Sequence, residues 1–194
     1  MEWTAFYTAT LSIALGLGLA AATGFRVFLP FLIAGLAARA GWMPLTDAFQ
    51  WIATTPALLM LGTAAAFESL AYYIPGVDHV LDVLATPATL VAGVVVSAAA
   101  MADVPPALLW PVAIIAGGGV AGLMKGGTAL IRAQTAVATG GLGNPVVSTA
   151  EGVGAVVLSL LALLVPLLAI AAVVGLLVWA MVRAGRLVFG RPRH

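Results

Sequence analysis

Long apolar blocks, separated by short joints of polar residues, glycine and proline, organise the chain from end to end. The first block, about Thr4 to Ala22, suffices for one membrane-crossing helix, because about 20 residues at 1.5 Å rise cover a hydrocarbon core of roughly 30 Å. Gly16 and Gly18 mark a face of it that another helix could approach closely. Gly24 and Arg26 interrupt the pattern, and Val27 to Ala38 is apolar but short. It is either a tilted span with Arg26 and Arg39 reaching to the interfaces, or a half-helix that re-enters the membrane, and Pro30 suits a first turn or a kink in both.

Next, GWMPLTDAFQWIATT (Gly41 to Thr55) mixes Trp42, Phe49 and Trp51 with polar residues, the pattern of a short helix lying along the headgroups, with Thr46 or Asp47 available to cap it. Pro56 opens a span to about Tyr73 that contains Glu68 and leaves the bilayer at Tyr72 and Tyr73, and Pro75 with Gly76 stops it. Further spans are expected over Val83 to Ala102 and Ala107 to Met124, the latter closed by Lys125 and bared on one side by Gly117, Gly118, Gly119 and Gly122. Gly152 to Val182 would be about 46 Å long as a single helix, so it must tilt, bend at Pro166 or begin outside the lipid.

The expected fold is therefore an all-α membrane protein: a compact bundle of about six transmembrane helices with a short interfacial helix. A glycine-rich loop, a candidate for re-entry, interrupts it between Arg132 and Glu151. Residues 1–182 would form one transmembrane domain and residues 183–194 a basic tail.

Composition agrees, since 63% of the 194 residues are hydrophobic and only 8% charged, against about 25% charged in soluble domains. A formal net charge of +1 gives no general nucleic-acid footprint, so membrane lipids are the expected partners. The glycine faces would suit a homo-oligomer as well as packing within one chain. The absence of cysteine excludes disulfides, thiol nucleophiles and thiolate metal sites. The N-terminus lacks the basic start of a secretory signal, so the first block is expected to be retained. Arg183, Arg186, Arg191 and Arg193 place the C-terminus in the cytoplasm by the positive-inside tendency.

A carboxylate within a span is costly and normally faces a partner or a cavity, so Glu68 is the sharpest single residue, either a proton or cation acceptor or half of an ion pair with Arg26 or Lys125. Glu151 begins the last block, where Ser148 and Glu151 have the spacing of a capping box. TGGLGNP, with Gly140, Gly141, Gly143 and Pro145, disfavours regular helix, and at membrane depth such backbone must be buried or line water. Arg26, Glu68, Lys125, Arg132, Asn144 and Glu151 are then the candidates to line a polar path, as in transporters with broken helices.

Asp78 and Asp82, four apart, suit a cation site or the first turn of a helix, with His79 beside them. No metal or nucleophile motif is present, no cofactor is implied, and an enzyme is disfavoured. GLGLAAATGFR and GGGVAGLMKGG faintly echo each other, each placing glycines ahead of a cation.

Three stretches, ATGFRVFLPFLIAGLAAR, ESLAYYIPGVDHVLD and TGGLGNPVVSTAEG, together resemble the uncharacterised bacterial integral-membrane family catalogued as domain of unknown function 4126, over nearly the whole chain. The resemblance implies a multi-pass inner-membrane protein and carries no activity with it. Where the family often has a lysine before IPGVD this chain has Tyr73, which removes a local pairing of lysine with aspartate.

The expected function is a small membrane transporter or carrier for a small solute, an ion or a lipid headgroup, with a carboxylate able to couple movement to protons. The alternative is a non-transporting protein that binds lipid or a partner and uses its charges structurally. If the glycine-rich interval lines a path, single cysteines at Leu142 and Asn144 are protected from a bulky impermeant thiol reagent, with Asp47→Cys as the interfacial reference. Free reaction of both from one side would make the interval an ordinary aqueous loop.

Overall fold

The computed structural model describes residues 2–74 and 77–188; within its helices the side chains of Glu2, 77–80, 82–83, 180 and 183–188 lie outside the description. Eight α-helices follow in order: α1 (Glu2–Thr23), α2 (Phe28–Arg39), α3 (Thr55–Ala71), α4 (Val77–Ala100), α5 (Pro106–Val112), α6 (Gly119–Thr139), α7 (Asn144–Leu164) and α8 (Pro166–Val188). A 3-10 helix, Asp47–Ala53, lies between α2 and α3, and a π-helical stretch, Ala113–Gly118, joins α5 to α6. No strand occurs among the described residues.

Trp3–Thr23, Pro106–Thr139 and Asn144–Leu164 are long and apolar enough to cross a membrane, and four shorter apolar helices accompany them. Helices this apolar leave Leu, Ile, Val and Trp side chains exposed over the outer faces of the bundle, the surface lipid would cover. The chain is an all-helical membrane protein.

Helix α1 is the axis of the bundle, packing on α4, α7, α8 and α6. Its inner half is built from Leu15, Leu19 and Ala20 to Ala22, all buried, and the alanines let neighbouring backbones come close. Glycines do the same where helices cross. A Cβ on Gly93 of α4 would stand 2.4 Å from the Cβ of Ala121 on α6, and one on Gly117 would stand 2.6 Å from the Cβ of Ser97. Gly117, Gly118 and Gly122 therefore pack against α4 inside one chain while Gly119 stays open, and Gly16 and Gly18 of α1 are likewise closed over by Met101 and by Ala162 with Ala169.

Several expected boundaries move. Lys125 does not end a span, because the helix beginning at Pro106 runs on to Thr139. Between Arg132 and Glu151 only Gly140 to Gly143 lie outside helix, so the candidate re-entrant loop reduces to a four-residue reversal. Gly140 and Gly141 have φ of +62° and +88°, backbone that side chains rarely adopt, and a Cβ on Gly143 would lie 2.4 Å from Thr135 Cγ2. Three glycines thus compress the turn, and Pro145 starts α7 in its first turn, where a missing amide costs nothing. The last apolar block is divided at Val165, whose φ of −144° and ψ of 77° leave the helical region just before Pro166. Helix α4 begins at Val77 rather than Val83, and tolerates Pro87 inside.

The aromatic joint after α2 forms the expected short helix. Its N-cap, Thr46, makes no side-chain cap and instead binds the end of α4, with its amide on Ala99 O at 3.0 Å and its hydroxyl on Ala98 O at 3.2 Å.

Gly93→Ala should therefore lower stability by about 1–3 kcal/mol, the range for overpacking a tight contact. Gly126, with nothing within 4 Å of its missing Cβ, is the matched control, and Gly126→Ala should be neutral or slightly stabilising. Thermal unfolding of the purified protein in detergent checks both.

Candidate functional site

Helix α2, 12 residues long, is too short to cross a bilayer, and its N-cap Val27 has no side chain able to satisfy the first amides. Glu68, from α3, supplies the acceptors instead: Oε1 takes the Val27 amide at 2.8 Å and Oε2 the Phe28 amide at 3.1 Å. A carboxylate complements the positive end of a helix, so Glu68 ties α3 to the start of α2. The adjoining residue, Arg26, is thereby held inside the protein, at 1% exposure.

The Arg26 guanidinium reaches across to α7, where Nη2 donates to Ser148 O at 2.9 Å and to Ser148 Oγ at short range. Its Nε and Nη1 have no hydrogen-bond partner among the described residues. The same guanidinium lies 4.1 Å from the centre of the Tyr72 ring, and Arg132 of α6 lies 4.4 Å from that centre. Lys125 Nζ stands 5.6 Å from it and donates to Tyr72 Oη at 3.3 Å. Arg132 in turn makes a two-pronged ion pair with Glu151 of α7, Nε to Oε1 at 3.0 Å and Nη2 to Oε2. Arg132 and Glu151 are both buried.

Five of the six path candidates thus meet: Arg26, Glu68, Lys125, Arg132 and Glu151 gather round one tyrosine. Asn144, the sixth, is buried at the first position of α7, one helical turn before Ser148. Gly140, Gly141, Gly143 and Pro145 form the neighbouring reversal, and Leu142 on it is 87% exposed. The side chains of Asp78, His79 and Asp82 lie outside the described residues; the backbone of Asp78 falls in the first turn of α4.

Two sequence assignments change. Ser148 does not cap a helix and Glu151 does not begin one; α7 starts at Asn144, placing both within it, where they face Arg26 and Arg132. Tyr72 does not mark the membrane exit, because it is buried at the centre of the cluster, while Tyr73 is exposed and its hydroxyl meets Thr149 Oγ1 at 2.8 Å. The available signal for Tyr72 was its spacing, four residues after Glu68 on one helical face.

The arrangement is that of a membrane bundle with an ionised centre. Such a centre can exchange protons, attract a charged solute, or lock helices by ion pairing. The family model described as "Domain of unknown function (DUF4126)" matches residues 13–186, and the chain belongs to that family. Neither the curated proteins nor the solved structures yielded a match.

Arg132→Ala should cost about 3–5 kcal/mol, because it strands the Glu151 carboxylate in the interior. Replacing both partners, Arg132→Met with Glu151→Leu, should recover most of that loss. Melting of the three proteins in detergent decides, and a double variant no more stable than Arg132→Ala would refute the pairing account.

Proposed function

We propose that this protein is a small membrane carrier that moves a small solute, an ion or a lipid headgroup through the polar centre around Tyr72, with a carboxylate coupling movement to protons. The observation that carries this reading is Arg26. It is a fully buried guanidinium beside Ser148, with Nε and Nη1 unpartnered among the described residues, in a cluster that also holds Glu68 and Glu151. A purely structural arginine would be expected to satisfy all its donors, since each unsatisfied buried donor carries a desolvation cost of about 1–3 kcal/mol. The short helix beginning at Phe28 borders the cluster, a feature shared with carriers whose broken helices surround a central site.

The buried pair of Arg132 with Glu151 favours a second reading, in which the charges only lock the bundle and the protein binds lipid or a partner without transport. The proposed carrier is not an enzyme and needs no cofactor, its chemistry being ion pairing and proton exchange. Its proposed location is the bacterial inner membrane, as the family resemblance implies, with a cytoplasmic C-terminus on the strength of the arginines at 183, 186, 191 and 193. Self-association would use the open glycines Gly126, Gly152 and Gly175, because the faces at Gly16, Gly18 and Gly117 are filled within the chain.

The cysteine-free chain permits a direct test. Asn144→Cys, in oriented vesicles, should react with a small impermeant thiol reagent applied from either face, as alternating access requires. Reaction from one face only, or from neither, overturns the carrier reading.

A further inference from the structure

Helix α3 packs on α2 and on the 3-10 helix rather than on α4, and a cleft opens where α4 passes. Two cavities occupy it, about 470 Å³ and 570 Å³, joined through the shared residues Val27, Phe28 and Ala88. Both volumes suit small-molecule sites, which are mostly apolar with a few placed polar groups. Phe67 and Phe28 wall the first, and Phe31 and Trp51 the second. Phe28, Phe67 and Trp51 are exposed, so the cleft opens on the outer surface of the bundle.

One charged residue stands among its described lining residues: Glu68, with the Tyr72 ring beside it. Arg26 touches the same tyrosine but does not line the cleft. Each Glu68 oxygen accepts one backbone amide, and a carboxylate has about four lone-pair sites, so acceptor capacity remains toward the cavity. The rings of Phe67 and Phe28, which wall the cavity, add attraction for a cation, while the Tyr72 ring is already occupied by the protein's own cations.

We infer that this cleft binds an amphiphilic organic cation, its apolar body between α3 and α4 and its charged centre against Glu68 and the ring of Phe67. The inference names the substrate class of the carrier proposed above and rests on that reading. Arg26 is then the internal competitor. Its unpartnered Nε and Nη1 belong to the same cluster as Glu68, so they can take up the carboxylate's charge when the cation leaves.

Matched lipophilic ions test this. Tetraphenylphosphonium and tetraphenylborate have nearly the same size and shape and opposite charge, and their binding to the full-length protein in detergent can be measured by calorimetry. The phosphonium should bind saturably and the borate at least tenfold more weakly. Glu68→Gln should weaken phosphonium binding at least tenfold, and so should Ala88→Trp, which fills the junction of the two cavities. The second variant leaves the α2 cap in place and decides the matter if Glu68→Gln fails to fold. Equal binding of both ions, no phosphonium binding, or binding indifferent to Ala88→Trp overturns the proposal. This is an equilibrium measurement without a membrane, so its failure alongside two-sided labelling of Asn144→Cys would remove the substrate class and leave the carrier standing.

Discussion

Glu68 accepts the amides of Val27 and Phe28, and through that contact the start of a 12-residue helix is fastened to α3 in the absence of any local cap. Without it, two backbone donors would be left unsatisfied where water is scarce, a state membranes penalise heavily. Because the cap fixes where α2 begins, it fixes the loop before it, and Arg26 has no route to solvent. The guanidinium must find its partners inside, which it does on Ser148 and against Tyr72. The rest of the polar centre follows from that placement, since Tyr72 also collects Lys125 and Arg132, and Arg132 brings Glu151.

Around this centre the protein spends almost nothing on polarity. Glycine and alanine allow α1, α4 and α6 to lie close, so packing contacts replace the hydrophobic effect that lipid cannot supply. The looser join is between α3 and α4, where the cleft opens and where Glu68 shows its other side. One carboxylate therefore caps α2 on one side and borders the cleft on the other.

Much of the architecture was legible in the chain itself. The apolar blocks and the aromatic interfacial joint follow from residue type alone, because lipid demands long apolar helices, and Pro166 marked one of the places where the last block could bend. The same logic singled out Arg26, Glu68, Lys125, Arg132 and Glu151, since charge is expensive inside a span. It misjudged the interval from Arg132 to Glu151, where the concentration of glycines suggested an extended loop. Those glycines instead confine the reversal to four residues, and the flanking segments stay helical.

What the sequence determined by itself is the inventory: which stretches are apolar and which residues cannot face lipid. These depend on one residue's preference for its surroundings. Pairing depends on two residues far apart in the chain, and only the tertiary structure decided it. Glu68 could have met Arg26 or Lys125 by charge alone; it met the free amides of α2, because an uncapped helix end attracts a carboxylate and lay within reach. Tyr72 carried no charge to mark it, yet three cations converge on its ring. The packing of α1, α6 and α7 brings them there, and no local pattern encodes that meeting.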